Sequence, residues 1–205
     1  MDAKKPINPM KLYLGGMMGG LVIALIVILV VNSQKTPPPT TPPSAAPPSA
    51  SAYAAWVALP EDAPVRAKLP AQAVVETEVL PIGENRTATQ RRYIASDTNE
   101  QVYFVTTLEY PAPMNLEQPE PVLRAGLDGM VRAVPSNTLK ETRFGSFQGM
   151  PALDFTIDDP AGALTHRGKL FARDRTFYQV FVTHNADKFD ATAYEYFLSS
   201  FAAQP

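Results

Sequence analysis

Residues 91–110 read RRYIASDTNEQVYFVTTLEY: two runs rich in aromatic and β-branched residues on either side of a polar break. Arg91–Ala95 and Val102–Tyr110 suit strands, and Ser96–Glu100 is a run of turn formers that would join them as a hairpin. Upstream, Ala73–Val79 alternates apolar and polar positions, the period of a further strand. Downstream, Pro111 and Pro113 stop the sheet pattern, and over Glu117–Ala133 the period changes. Leu123, Leu127, Met130 and Val134 there form one helical stripe that would pack on the sheet. Strands are expected again at Thr138–Phe144, Ala152–Ile157, Leu164–Ala172 and Thr176–Thr183, with turns around Gly149, Asp158–Pro160 and Arg173–Arg175. Phe189, Ala193, Phe197 and Phe201 recur along a closing helix over Phe189–Phe201, with Tyr194 and Glu195 off that stripe. Consecutive strands joined by short turns, with helices between the groups, predict an α+β class: an antiparallel β-sheet flanked by helices.

Before this domain the composition changes twice. Leu12–Val31 carries no charge, and at about 1.5 Å per residue such a run matches the roughly 30 Å hydrocarbon core of a bilayer. Lys4, Lys5 and Lys11 precede it and only Lys35 follows closely, which predicts a cytoplasmic N-terminus and an extracytoplasmic C-terminal domain, in the periplasm or at the cell exterior. A cleaved signal peptide ending near Val31-Asn32-Ser33 is the rival reading, against which the length of the apolar run argues. Thr36–Ala52 reads TPPPTTPPSAAPPSASA and accounts for much of the excess in a chain of 21 prolines. It has nothing to bury and suits an extended polyproline spacer. The expected organisation is a cytoplasmic tail at 1–11, a transmembrane helix at 12–31 acting as a signal-anchor, a linker and lead-in at 32–60, and one folded domain at 61–205.

The partners expected follow from these segments. The bilayer would hold residues 12–31, and the domain would meet another membrane or envelope protein. Gly15, Gly16, Gly19 and Gly20 have the G-x-x-x-G spacing that lets two membrane helices approach, so self-association is a further expectation. A net charge of −2 argues against nucleic acid, and the absence of cysteine removes disulfides, thiol catalysis and cysteine metal sites.

From Gly149 onward the order of elements carries a resemblance. It comprises a strand ending before Asp158-Asp159, then His166–Phe171, then Phe177–Val180, and finally Phe197-Leu198-Ser199-Ser200-Phe201. This layout resembles the C-terminal half of PsbP-like domains, known from extrinsic photosystem II subunits and from non-photosynthetic relatives. The resemblance implies an antiparallel sheet sandwiched by helices, and a binding or assembly-support domain on the outer side of a membrane. The proline-rich spacer and apolar N-terminal run depart from the photosynthetic members, which speaks against a photosystem role.

The candidate chemistry is sparse. His166 and His184 fall near the open end of one hairpin and, with Asp158, Asp159 and Asp187 close in sequence, are the candidate metal ligands. The alternative is two separate histidines bonded to backbone or water. Arg167, Lys169, Arg173 and Arg175 place four cations on the same hairpin, the first three on one face by strand parity, as a candidate surface for an anionic partner. The alternative is a solvated face that protects a sheet edge. Ser146 and the pair Ser199-Ser200 lack the setting of a nucleophile, and phosphate-binding glycine loops are missing, so neither catalytic residues nor cofactors are expected. Asn85-Arg86-Thr87 fits the glycosylation pattern, which is read as a chance match. The reading favoured is a non-catalytic binding or assembly-support module. The alternative is a metal-dependent or hydrolytic envelope enzyme with a non-obvious site.

Overall fold

The hairpin at the centre of the sequence sets the register of everything else. The computed structural model describes residues 53–82, 85–114, 116 and 118–204. Strands β5 (Thr87–Ser96) and β6 (Val102–Glu109) pair antiparallel, with Tyr93 opposite Val105 and Ile94 opposite Phe104. Asp97 closes their turn: its Oδ1 accepts from the backbone N–H of Asn99 at 2.8 Å and of Gln101 at 3.0 Å, and its Oδ2 accepts from the Tyr103 hydroxyl at 3.1 Å. An aspartate that bonds its own downstream backbone is what makes such a run a turn. Burial nevertheless pushes the Asp97 carboxyl above its ordinary pKa, outweighing these bonds.

Strand β4 (Val74–Pro81) adds to β5, and β7 (Thr138–Phe147), β8 (Met150–Asp159), β9 (Leu164–Arg173) and β10 (Thr176–Asn185) form a second meander. The seven strands are ordered β4-β5-β6-β10-β9-β8-β7, all neighbours antiparallel. Gln148 (φ 52°) and Gly149 (φ 77°) make the two-residue turn between β7 and β8, the left-handed geometry whose twist matches a hairpin. Helix α1 (Pro119–Ala133) crosses from β6 to β7 over β8 and β9, burying Leu123, Leu127 and Met130 against Phe155, Phe177 and Phe181. Gly126 makes room for the buried Phe177 ring, because a Cβ there would lie 2.5 Å from Phe177 Cζ. Val134 already has extended backbone and ends the helix.

The opposite face is closed by helix α2 (Ala191–Ser200), whose Asp190 cap accepts from the Ala193 N–H at 2.9 Å. Ala193, Tyr194, Phe197 and Leu198 are buried there with Tyr103, Phe171, Tyr178 and Phe201. Tyr194, expected off the stripe, is inside it, and Phe189 precedes the helix. Short strands β1 (Val57–Ala58), β2 (Val65–Arg66) and β3 (Lys68–Leu69) cover the rest of this face. β1 pairs with β3, and β2 with β11 (Ala202–Ala203). Tyr53 and Leu59 are buried in the same cluster, so the fold reaches back into the lead-in assigned to the linker.

The expected architecture is corrected in two respects. The described residues are dominated by strand, seven of them in one antiparallel sheet, against just two helices. One 15-residue and one 10-residue helix lie on the two faces and the lead-in strands do part of the covering, so strand far outweighs helix and the expected α+β class of a sheet sandwiched by helices does not describe this fold. Among the described residues no helix is long and apolar enough to cross a membrane. The expected tail at 1–11, transmembrane helix at 12–31 and linker up to residue 52 lie outside the described residues, so the membrane-spanning reading has no counterpart in the structure.

Candidate functional site

Strand β4 forms one edge of the sheet, and its polarity is set by an arginine on the neighbouring strand. Arg92 of β5 points to the α1 face and is 4 % exposed. A guanidinium in that position needs carboxylates, since a buried unpaired charge is strongly destabilising. Glu76 and Glu78 of β4 supply them, with Arg92 Nη2 2.9 Å from Glu76 Oε2 and 3.7 Å from Glu78 Oε2. Glu76 is the direct cross-strand partner of Arg92. Strand parity then turns Val75, Thr77 and Val79 to the other face, where the cover provided by α2 and the lead-in does not reach them. Val75 is 48 % and Val79 61 % exposed, and Val74 at the strand start is 63 % exposed. A slip of one residue would bury these valines and expose the glutamates, and Arg92 is what opposes it.

The other edge is built differently. β7 is exposed along most of its length and carries Lys140, Glu141 and Arg143, with a register shift between Leu139 and Glu141. Lys140 pairs with Asp158 at 3.4 Å and Arg143 with Asp154 at 3.4 Å. Charges and a bulge are the usual means of blocking a further strand. β4 has an unshifted register with β5 throughout and no cation of its own.

Behind β4 a polar row crosses the sheet on the α1 face. Glu76 lies opposite Arg92, Arg92 opposite Thr106, and Thr106 opposite Gln179. Gln90, one row along, faces Glu78 on one side and Leu108 on the other. Arg92 Nε and Nη1, Thr106 Oγ1, Gln90 Oε1 and Gln179 Oε1 are buried without a hydrogen-bond partner. Such groups are costly in an apolar layer, and here they run from the β4 edge to the central strand β10.

The residues singled out in the sequence are placed as follows. His166 is paired in register with Thr183, not His184, so the two histidines project from opposite faces. His166 shares a hydrogen bond with Thr183 Oγ1 at 2.8 Å, and burial lowers its pKa to about 4. His184 Nδ1 donates to the Asn185 carbonyl at 2.7 Å, its ring lies 4.6 Å from that of Phe189, and burial lowers its pKa too. Asp158 accepts from Thr165 Oγ1 at 3.1 Å and Asp159 from Ser136 Oγ at 2.5 Å. Among the described residues no three His, Asp or Glu side chains are grouped to hold a metal ion.

Arg167, Lys169 and Arg173 do share a face, and each is engaged. Arg167 lies 4.8 Å over the Phe189 ring, Lys169 pairs with Asp154 at 2.6 Å, and Arg173 reaches Asp174 at 3.7 Å. Arg175, in the turn, pairs with Glu109 at 3.6 Å and donates to the Tyr110 carbonyl at 3.3 Å. Ser199 and Ser200 donate to carbonyls one turn back, those of Tyr196 and Phe197. Glu76, Glu78 and Arg92 were not among the residues singled out in the sequence. The available signal was the alternation Val75-Glu76-Thr77-Glu78-Val79, which gives a strand without saying which set faces inward. No protein-family model and no curated protein matches this chain.

Proposed function

We propose that this chain is a non-catalytic binding or assembly-support module that takes an extended segment of another envelope or membrane protein onto strand β4. The observation that carries the reading is the contrast between the two sheet edges. β7 is guarded by charge and a bulge, whereas β4 presents Val75 and Val79 beside an open backbone. An exposed, regular edge with apolar side chains is a template for strand addition, in which main-chain hydrogen bonds supply affinity and alternate side chains supply selectivity. The resemblance of residues 149–201 to PsbP-like domains, which rests on the order of sequence elements and not on the layering that it implied, points to the same class of function. A location outside the cytoplasm is part of the proposal and rests on the sequence of residues 1–35 alone.

The test uses full-length protein extracted gently from the cells that make it and sized. Wild-type chain should migrate in a larger complex, and the double substitution Val75→Lys with Val79→Lys should migrate free while keeping its melting temperature. Retention of the complex by that variant, with release on substitution of Arg167 and Lys169 instead, would move the docking surface to the β9 face. Protease added to intact spheroplasts should remove the domain, and protection until lysis would refute the location.

A further inference from the structure

We infer that the segment received by β4 alternates basic and apolar residues, an inference that rests on the edge reading above. Glu76 and Glu78 both lean on one guanidinium, so their three charges sum to one net negative charge on the α1 face of the edge. Their side chains are 34 % and 41 % exposed, and Oε2 of each is buried toward Arg92, so a neighbour on the outer side meets a partly exposed acidic pair. No other charged side chain of β5 or β6 shares that row, since the positions behind are Gln90, Thr106 and Leu108. On the opposite face Val75 and Val79 flank Thr77.

A strand laid beside β4 presents its side chains alternately to these two faces. Residues set against Glu76 and Glu78 meet carboxylates, and lysine or arginine there completes the charge balance that Arg92 leaves open. Residues set against Val75 and Val79 meet uncovered apolar surface, which favours β-branched or aromatic side chains. The chemistry is an extended peptide of the pattern apolar, basic, any, basic, apolar.

A second copy of this chain fits poorly. Two β4 strands paired about Thr77 would set Glu76 of one against Glu78 of the other, and like charges directly opposed across strands are destabilising. β7 of another copy offers Lys140 and Arg143, but the register shift between Leu139 and Glu141 breaks the regular strand that such a pairing needs.

The test titrates purified full-length chain with three short fluorescent peptides: repeats of Val-Lys-Thr-Lys, repeats of Val-Glu-Thr-Glu, and a scrambled basic peptide lacking the alternation. The alternating basic peptide should bind about tenfold or more tighter than the acidic one, from two cross-strand charge pairs reversed in sign. The scrambled peptide should bind more weakly, and the preference should collapse in molar salt. Glu76→Gln with Glu78→Gln should erase the preference. Because that variant also unpairs Arg92, the salt dependence of the wild type stands as an independent reading. Val75→Lys should abolish binding of all three. Equal binding of the basic and acidic peptides at low salt would overturn the charge inference, and the native complex would still report on the edge. Tightest binding of the acidic peptide, with a concentration-dependent dimer lost in Val75→Lys, would overturn it in favour of a second copy.

Discussion

Truncating Phe197 to alanine removes the ring that α2 inserts into the second face of the sheet. Phe197 is fully buried, and its ring stands edge-on to Tyr103 at a centroid distance of 5.3 Å and an angle of 83°. Deleting such a side chain costs about 3 to 5 kcal/mol, a sum that includes the cavity left behind. Against a domain stability of about 5 to 15 kcal/mol this is a large fraction. Glu195, two residues earlier and exposed, is the control, and its truncation should change stability by less than about 0.5 kcal/mol. The assay is denaturant unfolding followed by the single tryptophan. Trp56 lies 5.2 Å from both Tyr103 and Tyr196, so its emission reports on the cluster that α2 closes. Equal midpoints for Phe197→Ala and Glu195→Ala would refute the role given to α2.

The glycines divide sharply. Gly168→Ala should be severely destabilising, because the new Cβ would lie 2.2 Å from Phe181 Cβ and 2.4 Å from the Val180 carbonyl, and backbone cannot step aside. Gly145→Ala, in the exposed edge strand β7 with nothing within 4 Å, should be neutral or gain a few tenths of a kcal/mol, and thermal melts of the two variants compare them directly. Stability should also fall in acid through His166, whose pKa is lowered to about 4 by burial. Below its unfolded pKa of about 6.5 the unfolded chain takes up a proton that the folded chain refuses, so stability is flat above that pH and declines down to about pH 4, by up to about 3 kcal/mol. His184, shifted in the same direction by burial, adds to the decline. Urea midpoints at about pH 7 and about pH 4.5 should differ more for wild type than for His166→Gln, and an unchanged difference would contradict the assignment.

Most of the large sheet was legible in the sequence because its strands alternate or are bounded by turn formers. The parts missed share a cause: they depend on what lies across a strand, not along it. The histidines read as candidate ligands of one metal site near the open end of a hairpin, but Thr183 is the residue opposite His166, and an offset of one residue puts His184 on the far face. The parity of Arg167, Lys169 and Arg173 was readable, whereas the carboxylate of Asp154 on β8 that neutralises Lys169 was not. Arg91 and Arg92 are adjacent in sequence, and only the register with Glu76 explains why Arg92 is the one that turns inward. The lead-in escaped because β1, β2 and β3 have two residues each, too few to show a period. Phe189 was placed in the closing helix because it shares the spacing of Phe197 and Phe201, but Asp190 caps the helix after it.

Cysteine accessibility along β4 tests the claim on which the functional reading stands, that Arg92 draws the glutamates inward and leaves the valines as an uncovered edge. The chain has no native cysteine, so single substitutions report cleanly. Val79→Cys, at a position 61 % exposed, should react with a thiol reagent in the native full-length protein at nearly the rate of the unfolded chain. Leu80→Cys, one residue on and 6 % exposed, should be protected by orders of magnitude, at least tenfold for each 1.4 kcal/mol needed to open the strand. Protection of Val79→Cys with rapid labelling of Leu80→Cys would show the opposite polarity, and the docking edge would not exist.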